Sequence, residues 1–382
     1  MQSSIVKLQN DLYAKGISDR NISKQISLSN VTVSKFFKEK DGIRFDKYGE
    51  LLKIAYPNDV ELRRDLCAKY FTNTKRHLNK KIAMNYLMAH GELELLKRLV
   101  DQEMTSANKE NREWASLYEL IYKRYKGHIK GEKLLLELNK RKKYLKLKSK
   151  ELEILSEEIE MLSAYDQGNF KLMVNKSDFL MEKLNDIKDP YLRESFFYKI
   201  KECAIHGHLT AYELEKLREI CEEVIQSIPI NNRFPVVEAT VYGVLGESFM
   251  LCDESFDKSL FYLKKALSIL EKESSNQMEM RRTMIANTIE FLKIHHKVDL
   301  ENIKPLHAAE QAYLEIQKGN NEHAIEILMK LKEENGELSA FQIYYLGLAK
   351  NDKELLLKSL DMFERLGNIF YAQLPKKSLG II

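Results

Sequence analysis

The chain has 382 residues, which is more than one hydrophobic core usually organises, so two or three domains or an array of repeats are expected. Only 15 Gly and 6 Pro interrupt a chain that is 44% hydrophobic and 31% charged. That composition predicts an all-α fold. There is no long apolar run and no apolar N-terminal segment, so neither a transmembrane helix nor a secretory signal is expected. With four scattered cysteines, the chain is predicted to be cytoplasmic.

Positive charge is concentrated at the N-terminus. Residues 1–80 carry 16 Lys and Arg against 9 Asp and Glu, whereas the remainder is slightly acidic and the whole chain has a net charge of +4. A basic first domain on a near-neutral body predicts an anionic partner for that domain. The phosphate backbone of DNA is the usual candidate.

A helix-turn-helix pattern lies in residues 17–42. Ser18 and Ser29 are predicted to cap two short helices that a tight turn separates. The second helix would be a recognition helix from Asn30 to Lys40. It is predicted to end at Gly42, because glycine adopts the left-handed C-terminal conformation at low cost. Its buried stripe would be formed by Val33, Phe36 and Phe37.

Polar residues at the start of the second helix predict contacts with DNA, since Asn can pair with adenine, Thr can touch thymine and Lys can reach guanine or phosphate. The predicted DNA-binding residues on this helix and its cap are Ser29, Asn30, Thr32, Ser34, Lys35 and Lys38. Flanking phosphate contacts are predicted for Ser18, Arg20, Lys24 and Arg44. The alternative is a plain amphipathic hairpin with a solvated polar face, which the pattern leaves open.

Beyond residue 57 the chain consists of successive helical segments, and some share the spacing of tetratricopeptide-like repeats. Gly347 is followed at intervals of 12, 4 and 3 residues by Ser359, Phe363 and Leu366. Ala312 is followed at the same intervals by Ala324, Leu328 and Leu331, and Gly246 by a similar set with one extra residue. Small residues where two helices cross predict stacked helix pairs, which form a superhelix with a concave groove.

Such a groove typically receives a peptide through polar side chains on its inner helices. The candidates are Arg233, Glu247, Asn287, Glu310, Tyr313, Tyr345 and Asn368. For each, the alternative is an ordinary surface polar residue or, for the tyrosines, core packing. We therefore predict a helix-turn-helix DNA-binding domain in residues 1–57, a linker with the first helical repeats in 58–160, and a tetratricopeptide-like peptide-binding and dimerisation domain in 161–382.

A basic block followed by an acidic block occupies residues 139–160. Taken as one helix, this segment is predicted to be a solvated face or a linker helix. A second contact with the DNA backbone is the alternative.

Motifs for catalysis are missing from the sequence. There is no phosphate-binding glycine loop, dinucleotide fingerprint, nucleophile elbow or zinc-protease motif. The histidine pairs at 206/208 and 295/296 have no Cys or carboxylate partner at metal-ligand spacing. We therefore predict a protein that is not an enzyme, with no cofactor, no metal site and no catalytic residue.

A helix-turn-helix joined to a tetratricopeptide-like superhelix resembles the peptide-pheromone regulators of Gram-positive bacteria. Within that superfamily the chain looks most like the arbitrium peptide receptors, the quorum-sensing regulators of lysis and lysogeny in Bacillus phages. The resemblance covers nearly the whole chain. The segments that carry it are SLSNVTVSKFFKEKDGIRFDKY, ELRRDLCAKYF, LSAYDQGNF, NNRFPVV, VLGESFML and AEQAYLEI.

The resemblance implies a homodimer that acts inside the bacterial host, held together in part by the C-terminal end LPKKSLGII. It implies binding to double-stranded operator DNA and uptake of a short secreted peptide, which ends activation of a gene that promotes lysogeny. The family's ligand positions fall on His206, Thr210, Arg233, Glu247, Glu310 and Asn368. Glu310 would pair with an arginine of the peptide, and Arg233 would hold a peptide carbonyl or carboxylate.

Departures from the family pattern leave alternatives open. Family members have Asn where this chain has His206 and Glu247, which predicts a different peptide, and their C-terminus is richer in Leu. One alternative is a pheromone-controlled scaffold that binds a protein partner through its N-terminal helices. The other is an enzyme with an unrecognised constellation of residues.

Overall fold

The protein is all-α in the residues that the computed structural model describes, which are 4–145, 149–228, 233–252, 254–271 and 275–382. This confirms the predicted fold class. The first four helices form the N-terminal unit: α1 Ser4–Ala14, α2 Asp19–Gln25, α3 Asn30–Phe37 and α4 Phe45–Ala55.

Seventeen further α-helices in those residues form the body of the molecule, with short 3₁₀ turns at Leu184–Asp186 and Leu300–Asn302. They are α5 Val60–Asn73, α6 His77–Ala89, α7 Leu93–Met104, α8 Lys109–Tyr125, α9 Gly131–Lys142, α10 Lys150–Asp166, α11 Phe170–Lys183, α12 Pro190–Thr210, α13 Leu214–Ser227, α14 Pro235–Met250, α15 Phe256–Leu270, α16 Asn276–His295, α17 Ala308–Gln317, α18 Asn321–Asn335, α19 Ala340–Lys350, α20 Lys353–Arg365 and α21 Ile369–Ser378. Among these described helices, none is long and apolar enough to cross a membrane.

The helix-turn-helix forms with the predicted caps. The side chain of Ser18 accepts a hydrogen bond from the backbone of Asn21, and Ser29 accepts one from Thr32. Ser27 in the intervening turn has a φ of 52°. The predicted stripe of α3 is buried. These two hydroxyl caps satisfy backbone N–H groups at the helix starts, so the local sequence fixes where both helices begin.

The predicted end of the recognition helix was wrong. Helix α3 ends at Phe37 rather than Lys40, and Glu39 adopts the left-handed conformation with a φ of 55°. The Lys40 N–H then bonds to the Lys35 carbonyl at 2.9 Å, which closes a Schellman turn. Gly42 has no positive φ and instead lies near the Tyr70 hydroxyl, so its small size is used for close packing.

Small residues lie where the helix pairs of the body cross, as predicted. A methyl group at Gly246 in α14 would lie 2.8 Å from Leu263 of α15, and one at Gly347 in α19 would lie 2.9 Å from Leu356 of α20. Ala312 and Ala324 are fully buried between α17 and α18. Leu366 was predicted to complete this pattern, but it is 58% exposed because α20 ends one residue before it.

The charged stretch 139–160 was predicted to be one helix. It instead contains the end of one helix and the beginning of another. Helix α9 ends at Lys142, and Ser149 caps α10 by accepting a hydrogen bond from the Leu152 backbone. Basic residues occupy the last turn of α9 and acidic residues the first turn of α10. Basic residues interact favourably with the C-terminal end of a helix dipole, and acidic residues with the N-terminal end. The charge pattern therefore stabilises two helix ends instead of one long helix.

The C-terminal helices of the superhelix contact its middle part. The turn between α10 and α11 lies against the turn between α20 and α21, where a methyl group on Gly168 would be only 2.7 Å from the Leu366 carbonyl oxygen. Gly168 and Gly367 both have positive φ. The long helix α12 packs against α6, α10, α11, α14 and α21. It therefore lies at the centre of the curved body and faces the space that the other helices enclose.

Candidate functional site

The predicted DNA-contacting residues lie at the surface of α2, α3 and their caps. Arg20, Lys24, Ser29, Asn30, Lys35 and Lys38 are exposed, and Thr32 and Ser34 are half-buried. Ser23 donates a hydrogen bond of 2.5 Å to the Asn30 side-chain oxygen, and the Ser29 and Thr32 hydroxyls lie 2.8 Å apart. These bonds fix the turn, so this surface is positioned by its own side chains.

Arg44 is placed differently from its predicted role as a phosphate contact. Its guanidinium donates two hydrogen bonds to Asp189, at 2.7 and 3.1 Å, and a third to Asp46 at 3.0 Å. Asp189 is the N-cap of α12. Arg44 therefore joins the N-terminal unit to the central helix of the body.

Arg233, a predicted peptide contact, belongs to the same ion network. It donates to Glu194 of α12 at 2.9 Å and to Asp46 of α4 at 3.3 Å. Its Nε also lies 3.0 Å from Glu50, without the alignment of a hydrogen bond. Burial raises the pKa of Glu50, and Lys47 partly offsets that effect. The network therefore connects the segment before α14 to the helix that follows the helix-turn-helix.

A cavity of about 260 Å³ lies within the curve of the body, next to this network. Six helices and the short segment before α14 provide most of its walls: α6, α8, α10, α12, α14 and α16. Phe234, which directly follows Arg233, is part of the wall. His206 is the one predicted peptide-binding residue in the described lining. Burial lowers the pKa of His206 to about 4, so its ring is neutral at physiological pH, and it lies edge-on to Tyr165.

The charges in the cavity wall are paired. Arg124 donates two hydrogen bonds to Asp166, at 2.7 and 3.0 Å, and Arg281 lies 3.0 Å from Glu202. Lys199 lies 3.3 Å from Glu158, as an ion pair without hydrogen-bond alignment. Gln277 carries no charge, and within the described residues neither atom of its buried amide has a hydrogen-bond partner. Most of the remaining lining is apolar, including Met88, Leu162, Met173, Val237, Met280 and Met284.

Apart from His206, the residues of this wall were not predicted, because helices far apart in the chain supply them. The one local signal is the run MEMRRTM in α16, in which three methionines flank a pair of adjacent arginines. Flexible methionine side chains are frequent at adaptable binding surfaces.

A second group of predicted residues lies around α16, α17 and α19. Tyr313 and Tyr345 are buried and stacked with ring centres 4.5 Å apart. Glu310 lies 3.0 Å from His307. Within the described residues, the buried oxygen atoms of the Asn287 and Tyr345 side chains have no hydrogen-bond partner. The two tyrosine rings contribute to the core.

Thr210, Asn368 and Glu247 complete the predicted set. The Thr210 hydroxyl donates to the backbone carbonyls of His206 and Gly207, and Asn368 caps α21. The structure thus gives these two a local structural role. Burial raises the pKa of the half-buried Glu247 carboxyl to about 7.

These features define a protein with an N-terminal helix-turn-helix and a helical superhelix that contains a cavity. An ion network next to the cavity joins the two parts. The chain belongs to the AimR transcriptional regulator-like family, whose model matches residues 63–380. It is therefore a transcriptional regulator and not an enzyme. The matched range begins after α4, so the helix-turn-helix lies outside it.

Two relatives extend the comparison. The AimR transcriptional regulator of Bacillus phage phi3T is 26% identical over 343 residues, which cover 86% of this chain and 85% of that protein. The uncharacterized protein pXO2-35 of Bacillus anthracis is 34% identical over 253 residues, which cover 66% of this chain and 93% of that protein.

Two solved structures share the fold. The selenomethionine form of phAimR superposes with a TM-score of 0.75 at 20% identity, covering 99% of this chain and 97% of that one. A structure of phAimR with its ligand has a TM-score of 0.71 at 23% identity, covering 87% of this chain and 96% of that one. The first match includes the helix-turn-helix and confirms the predicted combination with a tetratricopeptide-like superhelix.

Proposed function

We propose that the protein is a peptide-responsive regulator of the lysis-lysogeny decision of a phage. It binds double-stranded operator DNA as a homodimer through α3, and a short communication peptide in the superhelix switches DNA binding or activation off. The basic, polar surface of α2 and α3 supports the DNA partner. The similar phAimR structure that contains a ligand supports a ligand in the superhelix.

The observation that carries this proposal is the position of Arg233 between the cavity and the N-terminal unit. Its neighbour Phe234 lines the cavity, while its guanidinium contacts Asp46 and Glu50 of α4. Helix α4 in turn packs on the recognition helix, since Tyr48 lies against Phe36 with ring centres 6.0 Å apart. A continuous series of contacts therefore runs from the cavity wall to α3.

In this mechanism the peptide binds one shape of the superhelix more tightly than the others. Binding shifts the population toward that shape, because a ligand changes an equilibrium only by its difference in affinity for the two states. A movement of Phe234 would change the contacts of Arg233 with α4. In a dimer this alters the separation of the two recognition helices, which must match half-sites one or more helical turns apart.

We retain the proposed division into a helix-turn-helix domain at residues 1–57, first helical repeats at 58–160 and a peptide-binding and dimerisation domain at 161–382. The ion network joins the first of these domains to the third, through Arg44 and Arg233. For dimerisation, the exposed side chains of Ile381 and Ile382 offer apolar surface at the C-terminal end.

The alternative function is a scaffold that binds a protein through its N-terminal helices. The large exposed fraction of Val31, at the start of α3, favours it, because apolar surface suits a protein partner as well as a thymine methyl group.

Salt dependence of binding distinguishes the two functions. Binding of the purified protein to DNA flanking its own gene would be titrated over a series of salt concentrations. A DNA regulator shows a log–log slope of about −0.9 for each phosphate contact, because neutralised phosphates release counterions. The scaffold function is favoured if the protein does not bind this DNA even at low salt.

A further inference from the structure

Gln277 is a buried amide without a partner in the described part of the chain. It is 5% exposed, and neither its nitrogen nor its oxygen forms a hydrogen bond. A buried polar group left unsatisfied destabilises the folded protein. An amide offers one donor and one acceptor side by side, and a second amide such as a peptide group matches both. The side chain lines the cavity, where such a group can reach it.

The charges of the wall argue for an uncharged occupant. Arg124, Lys199 and Arg281 each face their own carboxylate, at 2.7, 3.3 and 3.0 Å. A charged group in the cavity would have to break one of these pairs or remain without a counter-charge, and both are costly in a buried site. An apolar group breaks no ion pair and needs no counter-charge, and most of the remaining lining is apolar.

The cavity has room for at least one large side chain. Its volume of about 260 Å³ is below the range of pockets that enclose a whole small ligand, roughly 300–1,000 Å³. Met280 and Met284 also line it, and they are 63% and 64% exposed. Flexible methionines beside an apolar cavity can adapt to the shape of a large side chain.

A second unpartnered amide lies further along the same helix. Gln277, Met280, Met284 and Asn287 are spaced by three, four and three residues, so they share one face of α16. The buried oxygen of Asn287 has no hydrogen-bond partner. Ten residues of helix span about 15 Å. An extended chain covers that distance with about four or five residues.

We infer that the ligand is an extended peptide with an uncharged central residue, which runs along α16 between Gln277 and Asn287 and places one bulky apolar side chain in the cavity. The amides of Gln277 and Asn287 pair with its backbone. This inference rests on the proposed function only in taking the ligand to be a peptide. It assigns the central side chain and the backbone contacts, and it requires no DNA.

The test uses four blocked pentapeptides, acetyl-Gly-Gly-Xaa-Gly-Gly-amide, in which Xaa is Leu, Gly, Lys or Glu. Affinities for the full chain are measured by calorimetry. The binding site is located by NMR of ¹³C-methyl-labelled methionines, because Met88, Met173, Met280 and Met284 line the cavity. Burial of a leucine side chain gives the Leu peptide an affinity about tenfold or more above the Gly peptide. The Lys and Glu peptides bind no better than the Gly peptide.

Two variants test the backbone contacts. Gln277→Ala and Asn287→Ala each weaken binding of the Leu peptide about two- to tenfold. Gln311→Ala is the matched control, since Gln311 is exposed on α17. Neither variant adds bulk to the core, and the methionine spectrum of the free protein checks the fold.

Equal affinity for the Leu and Lys peptides would overturn the inference, and so would a bound Leu peptide that leaves the methyl signals of Met173 and Met280 unchanged. Absence of Leu-peptide binding at millimolar concentration would also overturn it. These outcomes are separate from the proposed function, which is judged by DNA binding. A natural peptide that altered DNA affinity without perturbing these methyl groups would overturn the inference alone.

Discussion

The guanidinium of Arg233 lies 3.3 Å from the carboxylate of Asp46, although 187 positions separate them in the chain. Asp46 also accepts a hydrogen bond from Arg44, whose other partner is the N-cap of α12. Asp46 is thus held between a residue of the N-terminal unit and one of the superhelix. We propose that this contact couples peptide binding in the superhelix to the position of the N-terminal unit.

Substitution Asp46→Asn should uncouple the two functions. It removes the negative charge that both arginines share, while no atom of the cavity wall changes. We expect peptide affinity to stay within about twofold and the peptide's effect on DNA affinity to be lost, with a destabilisation of about 1–3 kcal/mol. Calorimetry with the peptide and DNA titrations with and without it measure the two quantities.

The matched control is Glu119→Gln, which weakens the Arg141–Glu119 pair inside the body. It removes the same kind of contact without crossing to the N-terminal unit. A peptide response that survives Asp46→Asn undiminished would show that the signal travels by another route.

The double substitution Thr32→Ala and Lys35→Ala should weaken operator binding. Both side chains lie on the recognition helix, and each good base contact contributes about 1–3 kcal/mol of discrimination. We expect affinity for the specific DNA to fall by about tenfold or more. Lys358→Ala, at an exposed position of α20, is the control for loss of charge. Unchanged operator affinity in the double variant would exclude α3 as the contact surface.

Glu247 should make the stability of the protein depend on pH. Burial raises the pKa of its carboxyl to about 7. Since the unfolded pKa is lower, the folded state binds more protons between these two values, and stability falls as pH rises through that window. Glu247→Gln mimics the protonated form. We expect it to equal the parent near pH 5 and to exceed it by about 1–3 kcal/mol at pH 8.

Unfolding of both proteins by urea across this pH range measures the effect. The control is Glu354→Gln, at an exposed position in the first turn of α20. Parallel pH profiles for the parent and Glu247→Gln would contradict the buried state of this carboxyl.

The contact between the α10–α11 turn and the α20–α21 turn should depend on Gly168. In Gly168→Ala the new methyl group would lie 2.7 Å from the Leu366 carbonyl oxygen, at a positive φ that alanine adopts only with strain. Gly319→Ala has the same backbone strain but no atom within 4 Å. We expect Gly168→Ala to cost about 1–3 kcal/mol more than this control. Equal costs in equilibrium unfolding would show that the two turns do not press on each other.

Local features of the chain were predictable from sequence. Ser18 and Ser29 cap their helices with bonds that span three residues, and the small residues at Gly246 and Gly347 mark real helix crossings. The hydrogen bonds and packing contacts that determine these features lie within a few residues or one helix pair.

The remaining features depend on contacts between distant segments. The partner of Arg44 is 145 positions away, and helices from α6 to α16 surround the cavity that Gln277 lines. The end of α3 was misplaced for another reason. The left-handed conformation predicted for Gly42 is adopted by Glu39, where the backbone hydrogen bonds of a Schellman turn stabilise it. The residue at which a helix ends thus depends on backbone hydrogen bonds, which cannot be inferred from composition.

The most direct test of the account is a gel-shift titration of the purified protein on DNA flanking its own gene, with and without the short peptide encoded beside that gene. We predict a specific complex whose affinity or mobility changes when the peptide is added. A specific complex that is indifferent to a bound peptide would contradict the coupling of the cavity to the helix-turn-helix. If no complex formed even at low salt, residues 17–42 would instead be a protein-docking hairpin.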